Sequence, residues 1–466
     1  MNSLTPLAAL SILFCLTTTE LEAANKPNIL FICVDDLRPE LSCYGKRHMH
    51  TPYIDKLASQ GRVFSRHYVQ VPTCGASRNA LLTGRYPRSR SDYGNNAISA
   101  HSKNNRVFPT FPKTFKENGY TTIAIGKVSH YPGGLMGAGW NDAKKVELPG
   151  AWDKNLMPCG EWKTPQGAMH GLANGVPRTR GKSPAIEIKE GSDTLYPDGL
   201  ITNTAIETLN TLSKQEKPWL LAVGIIKPHL PFTAPKKYWD YYEGKKLPPV
   251  SHAEKPSRSI TWHGSGEFFG GYNQDGKDPR KDASYAALVR RHYYASVSYA
   301  DAQVGKLLAT LEKSGQNDNT IVVLWGDHGW NLGERAIWGK HTLYEESLHS
   351  PLIIRAPGME QPGVATEAIT ETIDIFPTLC KLTGVKQPVA LDGTSLTAQL
   401  KDPEAVGDGL ARSFWGNAQS LRIDKNRLTR QGKKKYNLFL FPEDKAPDAA
   451  QSAKVQKELN DHFLTP

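Results

Sequence analysis

The chain has 466 residues, of which 39% are hydrophobic and 22% charged, and its mean hydropathy is −0.47. These values exclude a polytopic membrane protein and a disordered chain, and the length accommodates a large core with a smaller appended unit. A formal charge of +11 and an isoelectric point near 9.1 suit either a polyanionic partner or a merely Lys-rich solvated surface.

Residues 7–16 form the only long apolar run, too short to span a bilayer and of the length of a signal-peptide core. No Lys or Arg precedes Lys26, and Ala23-Ala24 offers a small-residue cleavage site. The expectation is a signal peptide over residues 1–24, a secreted or periplasmic protein, and no integral membrane association. Apolar runs at 28–34, 121–125, 219–226 and 320–325 each end in polar residues, as buried strands of a largely parallel sheet do. Functional groups then belong at the strands' carboxyl ends. Helical patterns occupy 54–60, 114–118, 200–214, 285–314 and 373–383, the fourth with apolar residues at three- and four-residue spacing. Helices between parallel strands define an α/β class.

Segments 132–191 and 252–282 are rich in Gly, Pro and charge and read as long loops. Their Trp140, Trp152, Trp162, Trp262, Phe268 and Phe269 either line a pocket or anchor the loops. Beyond Gly393, residues 413–429, a turn at 432–435 and residues 436–441 read as an antiparallel hairpin, followed by a helix over 450–463. The expected domains are 25–394 and a small α+β unit over 395–466. Once Cys15 leaves with the leader, Cys33, Cys43, Cys74, Cys159 and Cys380 remain. An odd number in an exported chain asks which thiol has another task. No zinc finger, basic helix or RNA-binding signature accompanies the positive charge, so no nucleic-acid partner is expected, and a sulfated or carboxylated glycan is preferred.

The sharpest segment is Cys74-Gly75-Ala76-Ser77-Arg78, followed by Leu82-Thr83-Gly84-Arg85. It resembles the signature of the type I sulfatases, Cys-x-Pro/Ala-x-Arg followed by Thr-Gly-Arg, with Ala76 where many members have Pro. The resemblance implies an alkaline-phosphatase-like α/β/α sandwich with a small C-terminal antiparallel sheet. It also implies that a formylglycine-generating enzyme oxidises Cys74 to Cα-formylglycine, and that the protein is a sulfuric ester hydrolase. An aldehyde hydrate carries two hydroxyls on one carbon, one to attack sulfur and one to expel sulfate afterwards.

Further matches carry further roles. Asp35-Asp36 and Asp327-His328 fall where the family holds its metal, so Asp35, Asp36, Asp327 and His328 would bind a divalent ion, calcium by the resemblance, with the oxygen at position 74. His328 stands where relatives often have Asn, and its nitrogen is atypical for calcium, which leaves Mg2+ or another divalent ion open. Segments 126–130, 227–232 and 339–340 match three more motifs. By that likeness Arg78 and Lys127 steady the formylglycine and His130 takes a proton from its second hydroxyl. Lys127, His229 and Lys340 contact the sulfate, with His229 or Lys340 the acid for the leaving alcohol.

The resemblance extends from Pro27 to Gly393 and is strongest to the iduronate-2-sulfatase branch, which implies a sulfated sugar or polysaccharide substrate. Near the end, residues 437–441 replace the Glu-Leu-Tyr-Asp segment of many sulfatases. Two other readings stand beside it: a phosphodiesterase or phosphonate monoester hydrolase of the same superfamily, and an inactive polyanion-binding relative. The latter requires lost catalytic groups, and none is missing from the sequence.

Overall fold

A computed structural model describes residues 26–103, 108–256, 260–388, 391–432 and 435–440. The expected leader and the helix over 450–463 lie outside the described residues. Eight strands build the central sheet: β1 Asn28–Val34, β2 Arg62–Tyr68, β3 Thr121–Gly126, β4 Lys154–Leu156, β5 Trp219–Ile225, β6 Thr320–Gly326, β7 Leu352–Arg355 and β8 Thr366–Glu371. Their order is β8-β2-β7-β6-β1-β5-β3-β4. All pairs are parallel except those of β7, which runs against both β6 and β2. The four apolar runs of the sequence are β6, β1, β5 and β3, consecutive interior strands of the sheet, where both faces are covered and every position can be apolar.

The pleat divides these strands between two cores. Leu30, Ile32, Val34, Leu221 and Val223 pack with Ile54 and Leu57 of helix α1 (Pro52–Gln60), with Ile201 and Leu209 of the helix Pro197–Leu212, and with Val289, Val297 and Leu307 of the 31-residue helix Ala283–Lys313. Ile29, Phe31, Cys33, Leu220 and Trp325 pack on the opposite side. Their partners are Leu81 and Leu82 of α2 (Cys74–Thr83), Phe111 and Phe115 of Phe111–Glu117, and Phe376 and Leu379 of Ile375–Thr383. The result is the expected three-layer α/β/α sandwich, with α2 as an additional helix.

Leu396 and Leu400 still pack in the second core, and the small sheet runs from Leu410 to Leu440. It has four antiparallel strands, β9 Leu410–Trp415, β10 Ala418–Ile423, β11 Asn426–Gln431 and β12 Lys435–Leu440. Residues 413–429, expected as part of one hairpin, contain two turns, because Gly416-Asn417 and Asp424-Lys425 reverse the chain. Gly416 at φ +60° and Asp424 at φ +45° supply the left-handed geometry those reversals need. No described helix is long and apolar enough to cross a membrane.

Candidate active site

The chain leaves β1 at Asp35-Asp36, β6 at Asp327-His328, β3 at Lys127 and β5 at Ile226-Lys227, all at one edge of the sheet. Short backbone bonds extend the ladders by one residue: Asp327 N–H donates to Val34 O at 3.2 Å, Asp35 N–H to Ile225 O at 3.1 Å, and Lys127 N–H to Gly224 O at 3.0 Å. A side chain at Gly224 would collide with the Lys127 backbone at 2.1 Å, so glycine is what lets the Lys127 turn lie against β5.

Cys74 opens α2, whose ten residues are all buried. Its Sγ lies 3.3 Å from His328 Nε2, 3.3 Å from Lys340 Nζ and 3.9 Å from Asp36 Oδ1. One turn on, Arg78 ties the helix to the strand ends. It donates to Asp327 Oδ2 (Nε, 3.1 Å), to Asp35 Oδ1 (Nη2, 3.3 Å) and to the carbonyls of Lys127 and Val128. Lys127 Nζ pairs with the other oxygen of Asp35, and Lys340 Nζ with Asp36 at 2.8 Å. Three buried carboxylates therefore face three buried cations.

The ionisation states follow. Burial opposes charge on Asp35, but Lys127, His229 and Arg78 outweigh it and hold its carboxyl well below the usual range. Burial also opposes charge on Lys340, yet Asp36 and Glu267 keep it charged well above the ordinary lysine value. The Cys74 thiol is pushed well up by burial and by Asp35, so it is not a thiolate at neutral pH.

Asp35, Asp36, Cys74 and His328 each offer one ligand atom within 4.8 Å of the others. Asp327 borders that group, with Oδ1 3.7 Å from His328 Nε2 while it accepts Asp36 N–H at 2.9 Å. Two observations fit a cation there. Asp36 Oδ2 is buried with no hydrogen-bond partner. His328 Nδ1 faces the Gly329 carbonyl at 3.0 Å, and a carbonyl only accepts, so Nδ1 carries the proton and the Nε2 lone pair is aimed into the group. Burial and Lys340 hold this imidazole neutral.

The remaining expected residues ring the cluster. His229 Nδ1 donates to Leu230 O at 2.7 Å, leaving Nε2 toward the cleft, and burial and Lys340 depress its basicity. Lys227 folds its loop back by donating to His229 O (3.0 Å) and Pro231 O (2.7 Å), while Asp198 accepts the Ile226 and Lys227 amides. His130 is half-exposed as a residue, but its Nδ1 is buried without a partner, and its ring meets Tyr131 at 4.9 Å and Trp140 at 6.2 Å. Among the described residues no hydrogen bond joins His130 to Cys74; the electrostatic neighbours of His130 are Lys127, Asp35, Arg78 and Lys340.

Sequence reasoning missed several groups. Glu267, on the helix Gly266–Gly271 in the second long loop, reaches Lys340 Nζ at 3.5 Å and His229 Nε2 at 3.7 Å. Glu147 Oε2 accepts Tyr131 N–H at 2.9 Å and braces the His130 loop, and burial lifts its pKa to about 7. His170 stands 5.4 Å from the His229 ring and 3.2 Å from Tyr272 Oη. None belongs to a compact motif; only the two loops' length and aromatic content signalled them. Trp152, Trp162 and Phe268 are buried anchors, and Trp140 remains half-exposed at the rim.

A family model described as Sulfatase matches residues 27–385. The chain belongs to the sulfatase family. A second model, the C-terminal region of N-sulphoglucosamine sulphohydrolase, matches residues 333–444 of this sulfatase. The sulfatase is 32% identical over 409 residues to iduronate 2-sulfatase of Homo sapiens, covering 78% of this chain and 70% of the relative. A sulfatase of Formosa agariphila is 30% identical over 432 residues, with 86% and 78% covered. Among solved structures, a phosphonate monoester hydrolase of Silicibacter pomeroyi superposes with a TM-score of 0.70 at 26% identity, covering 94% of this chain and 95% of that one. The sulfatase is thus a sulfuric ester hydrolase similar to the iduronate-2-sulfatase branch.

Proposed function

We propose that this sulfatase removes sulfate from a sulfated sugar or polysaccharide, iduronate-2-sulfatase-like in its substrate, after Cys74 has been converted to formylglycine. The observation that carries the reading is the Cys74 side chain itself, buried among Lys340, His328 and Asp36 and held as a protonated thiol. A protonated thiol is a poor nucleophile, whereas an aldehyde hydrate at that position supplies two hydroxyls, one to bond to sulfur and one whose deprotonation expels sulfate.

Arg78 and Lys127 fix the first turn of α2 and the strand ends and hold the hydrate in place. Lys127, His229 and Lys340 contact the sulfate group, with the two lysines donating to its oxygens. Lys340, charged at neutral pH, donates the proton that the leaving alcohol needs, and neutral His229 accepts a hydrogen bond beside it. His130, also kept neutral by burial and Lys127, takes the proton from the second hydroxyl. Asp35, Asp36, Asp327 and His328 suit one divalent ion, calcium in our reading, which would polarise the sulfate oxygens as a Lewis acid. Residues 1–24 direct export to the periplasm or medium, where the glycan is met, and 25–394 and 395–466 act as catalytic and accessory domains.

Mass spectrometry of the tryptic peptide containing Cys74, on protein made beside a formylglycine-generating enzyme, tests the nucleophile. The aldehyde is expected in active protein, and fully active protein containing only cysteine refutes it. The likeness to a phosphonate monoester hydrolase gives a second reading, hydrolysis of phosphodiesters or phosphonate monoesters. Turnover of phenyl phosphonate monoesters above that of sulfated uronides would establish that reading instead.

A further inference from the structure

A cavity of about 510 Å³ opens beside the catalytic cluster, lined by Arg90, Tyr93 and Gly94 from the segment after α2 and by Trp415, Gly416 and Asn417 from the β9–β10 turn. Its wall is shared with the site. The Trp415 ring stacks on His341 at 4.9 Å and 16°, His341 Nε2 lies 3.1 Å from Thr73 Oγ1, and Thr73 directly precedes Cys74. On the other side, Asn95 Oδ1 accepts the Gly75 amide at 3.1 Å and is two residues from Tyr93. Tyr93 is backed by Phe414 at 6.2 Å and 16°. Each aromatic ring thus has one face covered by a neighbour and remains half-exposed.

The composition of this cavity selects its ligand. Two aromatic surfaces suit the apolar face of a pyranose, and the Asn417 carboxamide suits its hydroxyls. The exposed Arg90 guanidinium suits a carboxylate or sulfate, and no carboxylate lines the cavity to repel one. We infer that this cavity is a second sugar subsite, holding an acidic ring next to the ring that carries the scissile sulfate. The inference rests on the sulfated-glycan reading and makes the protein an oligosaccharide enzyme rather than one selective for sulfated monosaccharides. The small C-terminal sheet then contributes to the substrate cleft through its first turn.

The test compares kcat/KM for sulfated tetrasaccharides from heparin, ulvan and carrageenan with kcat/KM for 4-nitrophenyl sulfate, in the parent and in an Arg90→Ala/Asn417→Ala double variant. Loss of a charge-assisted hydrogen bond corresponds to about a tenfold fall in the tetrasaccharide-to-aryl ratio for the uronate-containing substrates. An unchanged ratio across the panel overturns the subsite. Failure of the parent to release sulfate from any compound would count against the proposed function, not the cavity. Calorimetric binding of the same tetrasaccharides to the Cys74→Ser protein reads the cavity by itself. Binding weakened about tenfold by the double variant supports it, and equal binding, or none, refutes it.

Discussion

Glu267 places a carboxylate 3.5 Å from Lys340 Nζ and 3.7 Å from His229 Nε2, two groups we assign to an anionic substrate. Its charge competes with sulfate for the same lysine. Replacing it with Gln is expected to tighten competitive inhibition by inorganic sulfate by about threefold to tenfold, the size of a like-charge interaction in a partly solvated cleft. An inhibition constant that does not move would give Glu267 a structural task only. Lys340 and His229 are separated by leaving-group dependence. If Lys340 protonates the departing oxygen, Lys340→Ala lowers kcat by about 100-fold or more on a sugar sulfate but far less on 4-nitrophenyl sulfate, whose leaving group needs no proton. His229→Ala then loses rate equally on both. At this scale the sequence was informative wherever a motif is compact: residues 35–36, 74–78, 127 and 327–328 lie within one cluster, as the resemblance of their motifs implied. Glu267, Glu147 and His170 were not legible, because their neighbours are distant in the chain and the loops that carry them have no periodic pattern.

Helix α2 is the element on which the site depends, and it was legible as a motif but not as a helix. Gly75 shows why its composition is restricted: a Cβ there would lie 2.2 Å from the Asn95 carbonyl oxygen. Gly75→Ala is expected to destabilise the fold by about 1–3 kcal/mol, read as a lower urea midpoint, since backbone rather than a flexible side chain must give way. Strand β2 escaped detection for a related reason. Arg62 opens β2 fully buried, its guanidinium enclosed by the carbonyls of Gln399, Leu400, Glu360, Gln361 and Val364, so a polar residue occupies a core position that pattern reading assigns to solvent. In the turn after β1, Glu40 is held ionised against burial by Arg38 and His48, with its pKa lowered to about 2. Because the folded value lies below the unfolded one, this contribution is complete above about pH 4.5 and is lost as pH falls toward 2. It amounts to about 3 kcal/mol, and Glu40→Gln should flatten the loss of stability between pH 5 and pH 3 in urea titrations.

For the whole molecule, the near-continuous apolar runs of the central strands, each ending in polar residues, were enough to specify a covered parallel sheet, and the site fell at its carboxyl edge as that architecture requires. The reversal of β7 was not legible, since a four-residue apolar strand carries no mark of its direction. The ion proposed for the strand-end residues would couple the site to global stability. Dialysis against a chelator is expected to abolish sulfate release and lower the melting temperature by about 3 °C, with calcium restoring both at concentrations near 100 times its dissociation constant. A melting temperature insensitive to calcium, magnesium and manganese alike would argue against an ion held there.

The burial of Cys74 has a consequence for the order of events in the cell. Only 2% of the residue is exposed, and residues 75–83 around it are buried within α2. An enzyme that has to grip residues 74–78 in extended form meets them only on a chain that has not yet folded. On the proposed conversion of Cys74, maturation is a race between oxidation and collapse, decided once for each molecule. Folded protein purified from a host lacking the oxidising enzyme should stay inactive when that enzyme is added, and should gain activity when it is refolded from urea in the enzyme's presence.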